Sequence, residues 1–221
     1  MKRTILSLAA AMICIASFGQ ESETATESNF GVSADVVSRY VWRGTQFSSS
    51  PAIQPGLSYS VGGFSAGAWG SYSFDNSGSE CDLYAGYDFE FGLGIIVSDY
   101  FFPTMYNAET SLYNGYFEKD MHTFEVGLTY EVGSFSFGAY KYLNQLEDMY
   151  VEAAYTYKNA KVFVGAGDQL YTNNTEFNVC NVGLTVSKEV ALTDTWKVAP
   201  YASFIVNPNK EEAFLVVGIT L

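Results

Sequence analysis

The sequence predicts an all-β fold, a transmembrane antiparallel up-and-down β-barrel of about 12 strands. Apolar and polar residues alternate with a period of two along most of the chain, as in strands that have one apolar and one polar face. The alternating segments are about ten residues long, the length that a tilted strand needs to cross a membrane. The joints between them switch regularly between tight turns and longer polar loops.

Residues 1–19 are predicted to be a secretory signal peptide. Lys2 and Arg3 form a basic start, residues 4–18 are almost wholly apolar or small, and Gly19 supplies a small residue before the cleavage site. We therefore expect export and a location in the bacterial cell outer membrane.

Residues 20–29 are polar and acidic and predict a flexible lead-in, so the barrel is expected to occupy residues 30–221. The whole chain has 24 acidic against 11 basic residues, which argues against nucleic acid as a partner. With 17 Tyr, 17 Phe and 20 Gly but few charges, the composition suits a barrel in lipid better than a soluble sandwich.

Each predicted strand is a stripe of apolar residues at every second position. In chain order the stripes fall at 32–42, 53–61, 64–74, 81–89, 93–97, 124–132, 135–139, 151–157, 162–166, 180–186, 196–206 and 213–221.

The joints indicate which ends of the strands share a side of the membrane. Tight turns are predicted at 62–63, 91–92, 133–134 and 158–160, and longer loops at 44–51, 75–79, 103–121, 143–148, 170–175 and 207–211. The joint at 188–195 is longer than a tight turn. Because 103–121 is long and rich in aromatic residues, we consider it a candidate plug of the lumen.

Aromatic residues concentrate at the ends of the apolar stripes, which predicts girdles at the two membrane boundaries. The predicted girdle residues are Tyr40, Trp42, Tyr72, Phe74, Tyr87, Phe89, Tyr155 and Tyr157.

Charged residues occupy the positions between the apolar ones, so their side chains lie on the other face of each strand. This predicts that they line the lumen, since a charge at mid-membrane on the lipid face costs about 2–4 kcal/mol. The predicted lumen residues are Asp35, Arg39, Arg43, Glu80, Asp82, Asp88, Glu90, Glu125, Glu131 and Glu152. Arg39 and Arg43 are expected to pair with carboxylates of neighbouring strands.

Cys81 and Cys180 have the parity of the apolar outer face and lie in stripes that are not neighbours, so we expect two unpaired thiols. The cysteine spacing fits no metal motif, no dinucleotide motif is present, and no cofactor is expected. Asp75, Glu80 and Asp82 could gather oxygen ligands for calcium, although Asp-Asn-Ser-Gly at 75–78 is also ordinary turn sequence.

Several stretches resemble a bacterial outer-membrane family known as TorF-type porins, long described simply as conserved proteins of unknown function. They are YVWRGTQ at 40–46, PAIQPGLSY at 51–59, GGFSAGAWGSYSF at 62–74, DLYAGYDFEFG at 82–92 and HTFEVGLTY at 122–130. Trp42 stands where the family tends to have phenylalanine, and Arg39 where it usually has aspartate. The resemblance covers most of the chain after residue 30 and implies a barrel in the outer membrane.

The function expected from these features is narrow, cation-preferring passive diffusion of small solutes, with outer-membrane lipid as the surrounding partner. A closed structural or surface-binding barrel is the alternative. A more remote one is a hydrolase in the barrel wall that uses His122, although no Gly-x-Ser-x-Gly motif is present and we expect no enzyme. The sequence indicates neither the solute nor an oligomeric state.

Overall fold

The computed structural model describes residues 29–75, 78–103, 106–107, 112–113, 115–118, 120–144 and 146–221. The predicted signal peptide (1–19) and nearly all of the predicted lead-in (20–29) lie outside the described residues.

The described chain is built from strands and one short turn of 3-10 helix, Gln169–Tyr171. In chain order the strands are β1 (Phe30–Val37), β2 (Tyr40–Trp42), β3 (Thr45–Ser48), β4 (Ala52–Val61), β5 (Phe64–Ser73), β6 (Ser79–Asp88), β7 (Leu93–Phe101), β8 (Tyr106–Asn107), β9 (Leu112–Tyr113), β10 (His122–Val132), β11 (Phe135–Tyr142), β12 (Met149–Tyr157), β13 (Ala160–Gly167), β14 (Asn178–Ser187), β15 (Val190–Ala191), β16 (Lys197–Asn207) and β17 (Glu212–Thr220).

Twelve of these strands form one closed antiparallel ring, which confirms the predicted fold class. Around the ring the order is β1, β4, β5, β6, β7, β10, β11, β12, β13, β14, β16 and β17. The first and last wall strands pair with each other, with Val36 opposite Ile219, and this contact closes the barrel. Closure leaves no unpaired strand edge in the wall.

The two faces of the wall differ as the alternation predicts. Outward-facing side chains are apolar and largely uncovered: Leu57, Leu128 and Leu215 are 53%, 50% and 62% exposed. Inward-facing positions hold polar, small and tyrosine side chains, many of them buried. An apolar exterior of this extent is stable only when something apolar covers it. No helix among the described residues is long and apolar enough to cross a membrane.

The connections sort into two ends of the barrel. The tight turns at 62–63 and 133–134 lie at one end, called here the turn end, together with Phe30 and Leu221; Gly62 and Gly133 take the positive φ values that such turns need, 59° and 63°. The longer connections lie at the other end, called the loop end. The connection after β14 is longer than the other connections at the turn end because it contains the short strand β15, which pairs with β16.

Between β1 and β4 the chain leaves the wall and folds into the lumen. Strands β2 and β3 pair only with each other and form a two-stranded sheet, the lumen hairpin (residues 40–48). Within it, Tyr40 packs on Trp69 of β5 and Trp42 on Tyr100 of β7, with ring centroids 5.6 and 5.7 Å apart. Contacts with separate parts of the wall show that the hairpin lies inside the ring.

This hairpin corrects two predictions. Tyr40 and Trp42 do not face lipid, because the wall strand ends at Val37 and a bend at Ser38 and Arg39 interrupts the alternation. Residues 40–48, which were not expected in the lumen, occupy part of it, whereas the plug predicted from 103–121 falls largely on residues outside the described ranges. Of the 103–121 loop, the described residues 115–118 lie against the outer face of the wall, where Tyr116 packs on Phe101 at 5.1 Å.

Cys180 is a third correction. The register between β13 and β14 shifts at this point, since Gly165 lies opposite Asn181 but Ala166 opposite Val179. The extra residue is Cys180, and this bulge turns its side chain into the core of the barrel, where it is fully buried. Cys81 keeps its outward position and is half-buried. Both thiols are free, which confirms the expectation of unpaired cysteines.

The two thiols are expected to react very differently with an uncharged maleimide in the folded barrel, because burial protects a thiol from reagent. On protein lacking residues 1–19, Cys180→Ser should leave a thiol that reacts in the native state, while Cys81→Ser should leave one that reacts only after unfolding. Mass spectrometry of the labelled chains measures this. Native-state labelling of Cys180 as fast as that of Cys81 would contradict the inward bulge.

Candidate functional site

The candidate site is the filled cross-section of the lumen around Arg43, at the tip of the lumen hairpin. Arg43 and Gly44 form the two-residue turn, with φ values of 50° and 78°. Turns in which both central residues have positive φ match the twist of a hairpin. A non-glycine residue there costs about 1–2 kcal/mol, which the contacts of Arg43 must offset. A side chain at residue 44 would collide with the carbonyl oxygen of Cys180.

The Arg43 guanidinium forms a two-pronged ion pair with Glu125 of β10. Nη1 donates to Oε1 at 2.6 Å and Nη2 to Oε2 at 2.9 Å, and both side chains are only 4% exposed. Tyr100 donates to the same carboxylate at 3.0 Å, and Nη1 also donates to the hydroxyl of Tyr171 at 2.9 Å. Paired, parallel hydrogen bonds are the strongest form of this contact.

Aromatic rings surround the guanidinium. Its central carbon lies 4.2 Å from the ring centroid of Trp42, 4.1 Å from Tyr140 and 4.7 Å from Tyr150. These rings come from the hairpin, from β11 and from β12. A ring face attracts a cation, and more strongly where water is excluded. The charge of Arg43 is therefore balanced by one carboxylate and by the faces of several rings.

Residues at the loop end of the barrel hold the tip of the hairpin through hydrogen bonds. Asn207 is fully buried and donates to the carbonyls of Gly44 and Tyr171, at 3.1 and 3.0 Å. Lys210 donates to Thr45 Oγ1 at 3.2 Å. Burial raises the pKa of the Tyr171 phenol to about 12, so it remains a neutral hydroxyl beside Arg43 at neutral pH.

A second polar group lines the wall on the other side of the hairpin. Asp35, Gln54, Ser71 and Glu80 lie side by side on β1, β4, β5 and β6. All are buried, and Asp82 beside Glu80 is 1% exposed. Asp35, Glu80 and Asp82 each have one buried carboxylate oxygen without a hydrogen bond, and no ion pair in the described part of the chain involves them.

The remaining predicted lumen charges are more exposed. Asp88 and Glu131 are half-buried inward positions near the turn end, and Glu152 lies 3.8 Å from Lys161. Two predictions are wrong. Glu90 is exposed in the turn after β6, which ends at Asp88 and so takes Glu90 out of the wall. Arg39 donates to Gln46 at 3.1 Å instead of pairing with a wall carboxylate, because it lies at the bend outside the strands.

The other predicted girdle residues are exposed on the outside of the barrel. Tyr72 and Phe74 lie near the loop end, whereas Tyr87, Phe89, Tyr155 and Tyr157 lie near the turn end. These two groups are separated along the barrel axis, as aromatic belts at two interfaces are.

His122 faces outward near the loop end. Its Nδ1 lies 2.8 Å from a carboxylate oxygen of Asp99, and its Nε2 contacts the carbonyl oxygen of Tyr116. A general base needs a ring nitrogen free to accept a proton from a nucleophile. With both nitrogens held by acceptors, His122 fastens residues 115–118 to the wall. Among the described residues, no group of three or more His, Cys, Asp or Glu side chains is placed to hold a metal ion.

The fold and the site define a class: a closed 12-stranded β-barrel whose lumen is filled at one level by its own inward hairpin. The chain belongs to the family described as "Bacterial protein of unknown function (Gcw_chp)", whose sequence profile matches residues 21–204. That description assigns no function, and the narrower resemblance to TorF-type porins stays an expectation. A comparison with curated proteins finds no match.

Two solved porin structures are similar to this chain. A mutant of the Rh. blastica porin has 13% sequence identity and a TM-score of 0.38, over 77% of this chain and 55% of the porin. A porin refined at 1.8 Å has 15% identity and a TM-score of 0.34, over 80% of this chain and 62% of the porin. The chain thus spans less than two thirds of the length of either.

Removing the Glu125 carboxylate should destabilise the barrel strongly, because it leaves the buried Arg43 charge without its partner. Glu125→Gln is expected to lower the free energy of unfolding by about 3–5 kcal/mol. Urea unfolding of the refolded barrel, followed by tryptophan emission, measures the change.

The exposed pair of Lys197 and Glu189, 2.8 Å apart, supplies the matched control. Glu189→Gln should change the same free energy by less than about 1 kcal/mol. Equal effects of the two substitutions would show that the Arg43 contact is no more important than a surface ion pair.

Proposed function

We propose that this protein is an outer-membrane barrel of the porin type that lets small solutes through a lumen narrowed by its own hairpin. The observation that carries this proposal is a closed ring of strands with an apolar exterior and a polar interior that holds a cavity. A polar lumen inside an apolar wall is what a diffusion pathway across lipid requires.

The outer-membrane location is supported by the distribution of exposed side chains. Apolar residues cover the outside of the wall between two groups of aromatic residues. Short turns at one end and longer loops at the other are characteristic of outer-membrane barrels, in which the short turns face the periplasm. We therefore place the turn end in the periplasm and the loop end outside the cell.

The hairpin supplies the constriction. Tyr150, Tyr171 and Asn207 around its tip are at most 1% exposed, so the cross-section is filled at that level. The hairpin pairs only with itself and is held by side chains, so it can shift without breaking the hydrogen bonds of the wall. Passage of a solute then requires displacement of the hairpin tip, which predicts low conductance.

The charges support a preference for cations. Arg43 is paired with Glu125 and Lys161 lies near Glu152, whereas Asp35, Glu80 and Asp82 have no basic partner within the described residues. Rings of acidic side chains favour cations in channels.

The same filled cross-section favours a second candidate, a closed barrel whose loops form the working surface. In that case the hairpin is a permanent part of the core, and the lumen is never continuous.

Conductance across planar bilayers distinguishes the two functions. The wild-type barrel is expected to give small conductance steps. Replacing residues 40–48 by a short Gly-Ser linker should give larger steps, because it removes the constriction. In a potassium chloride gradient, the sign of the reversal potential should show that cations pass more readily than anions. The magnitude of this potential should be smaller in the Glu80→Gln, Asp82→Asn double variant.

The control is a deletion of residues 115–118, which lie against the outer face of the wall; it should leave the step size unchanged. Heat-modifiable migration on gels verifies that each variant is folded. Absence of conductance in folded wild-type and hairpin-replaced barrels alike would reject the channel and favour the closed barrel.

A further inference from the structure

A cavity lies in the lumen next to the hairpin and reaches across much of the barrel. Its walls come from eight consecutive strands of the ring, β12, β13, β14, β16, β17, β1, β4 and β5, and from the hairpin itself. The space in it that the centre of a water-sized sphere can reach is about 80 Å³. A single water needs only about 10–15 Å³ on this measure, so the cavity has room for several waters.

The basic side chains that line this cavity already have acceptors. Arg43 is paired with Glu125, Lys161 lies near Glu152, and Arg39 donates to Gln46. Carboxylates therefore offset the charges of Arg43 and Lys161, whereas Arg39 contacts an uncharged amide and lies at the bend outside the strands.

The unsatisfied groups of the lining are acceptors. Asp35 and Asn181, which are 7% and 3% exposed, line the cavity, and the Oδ1 atom of each has no hydrogen-bond partner among the described residues. A buried acceptor without a donor is costly, and a carboxylate without a counter-charge more so. The chemical complement of this lining is a positively charged group that donates hydrogen bonds.

The aromatic part of the lining favours the same kind of ligand. Trp42, Trp69 and Tyr40 border the cavity. Rings of this kind attract organic cations and pack against their methylene groups. A bare metal ion fits less well, since no cluster of ligating side chains was found within the described residues.

We propose that the cavity binds small organic cations with a primary ammonium group, and that this group pairs with the carboxylate of Asp35. Asn181, on β14, offers a second acceptor for another donor of the same molecule. This inference rests on the proposed function, because it names the class of solute that occupies the lumen.

Tryptophan emission provides a direct test, since Trp42 and Trp69 line the cavity while Trp196 is 52% exposed. In a Trp196→Phe background, 1,5-diaminopentane should change the emission of the folded barrel in a saturable way. The uncharged 1,5-pentanediol, of nearly the same shape, should bind at least about tenfold more weakly, because its hydroxyl can still donate to the Asp35 carboxylate but carries no charge to pair with it.

Two variants with the same change in net charge locate the contact. Asp35→Asn should weaken binding of 1,5-diaminopentane about tenfold or more, whereas Glu90→Gln, in an exposed turn, should leave it unchanged. Equal binding of the diamine and the diol, or equal loss in both variants, would overturn the proposal. If Asp35→Asn does not fold, the comparison of the two probes on the parent barrel decides.

The outcome can be separated from that of the conductance experiment. A barrel that conducts potassium ions but shows no saturable response to the diamine refutes the binding site and leaves the channel standing. A barrel that binds the diamine through Asp35 but never conducts refutes the channel, and the cavity is then a binding site in a closed barrel.

Discussion

The burial of the Arg43 guanidinium is the constraint on which the rest of the lumen depends. Removing a cation from water is costly unless a counter-charge and hydrogen bonds replace its hydration. Glu125, Tyr140 and Tyr150 contact the guanidinium from three consecutive strands, and Tyr171 from a loop. All can meet at one point only if the wall is closed and the hairpin lies inside it. The ion pair therefore ties the position of the hairpin to the closure of the barrel.

As a result, the lumen has two regions that differ in charge: one where charges are paired and one where carboxylates have no basic partner. Around the hairpin tip, positive charge is matched by Glu125, and little space remains. Beside the hairpin, Asp35, Glu80 and Asp82 keep carboxylate oxygens without donors, next to a cavity that Asp35 lines. A buried acceptor atom without a donor is destabilising. Because each of these carboxylates has one such oxygen and none is in an ion pair among the described residues, both the cation preference and the amine site are assigned to this region.

Much of the fold followed from strand parity. Apolar and polar residues alternate in about twelve segments, joined by short and long connections in turn, and this is enough to predict a closed barrel. The same alternation predicts the inner face for Asp35, Glu80, Asp82 and Glu125. Parity fails wherever the strand is interrupted. A bend at Ser38 and Arg39, a bulge at Cys180 and the end of β6 at Asp88 each changed the side on which the following residue lies.

The sequence by itself determined the class of the barrel, the side of the wall on which most residues lie and the acidic lining, because these depend on local alternation. It also contained one overlooked signal for the hairpin: Arg43-Gly44 between two aromatic segments is a two-residue turn. Only the tertiary structure decided what fills the lumen. The partners of Arg43 are up to 128 residues away in the chain, and local pattern carries no information about pairs so distant.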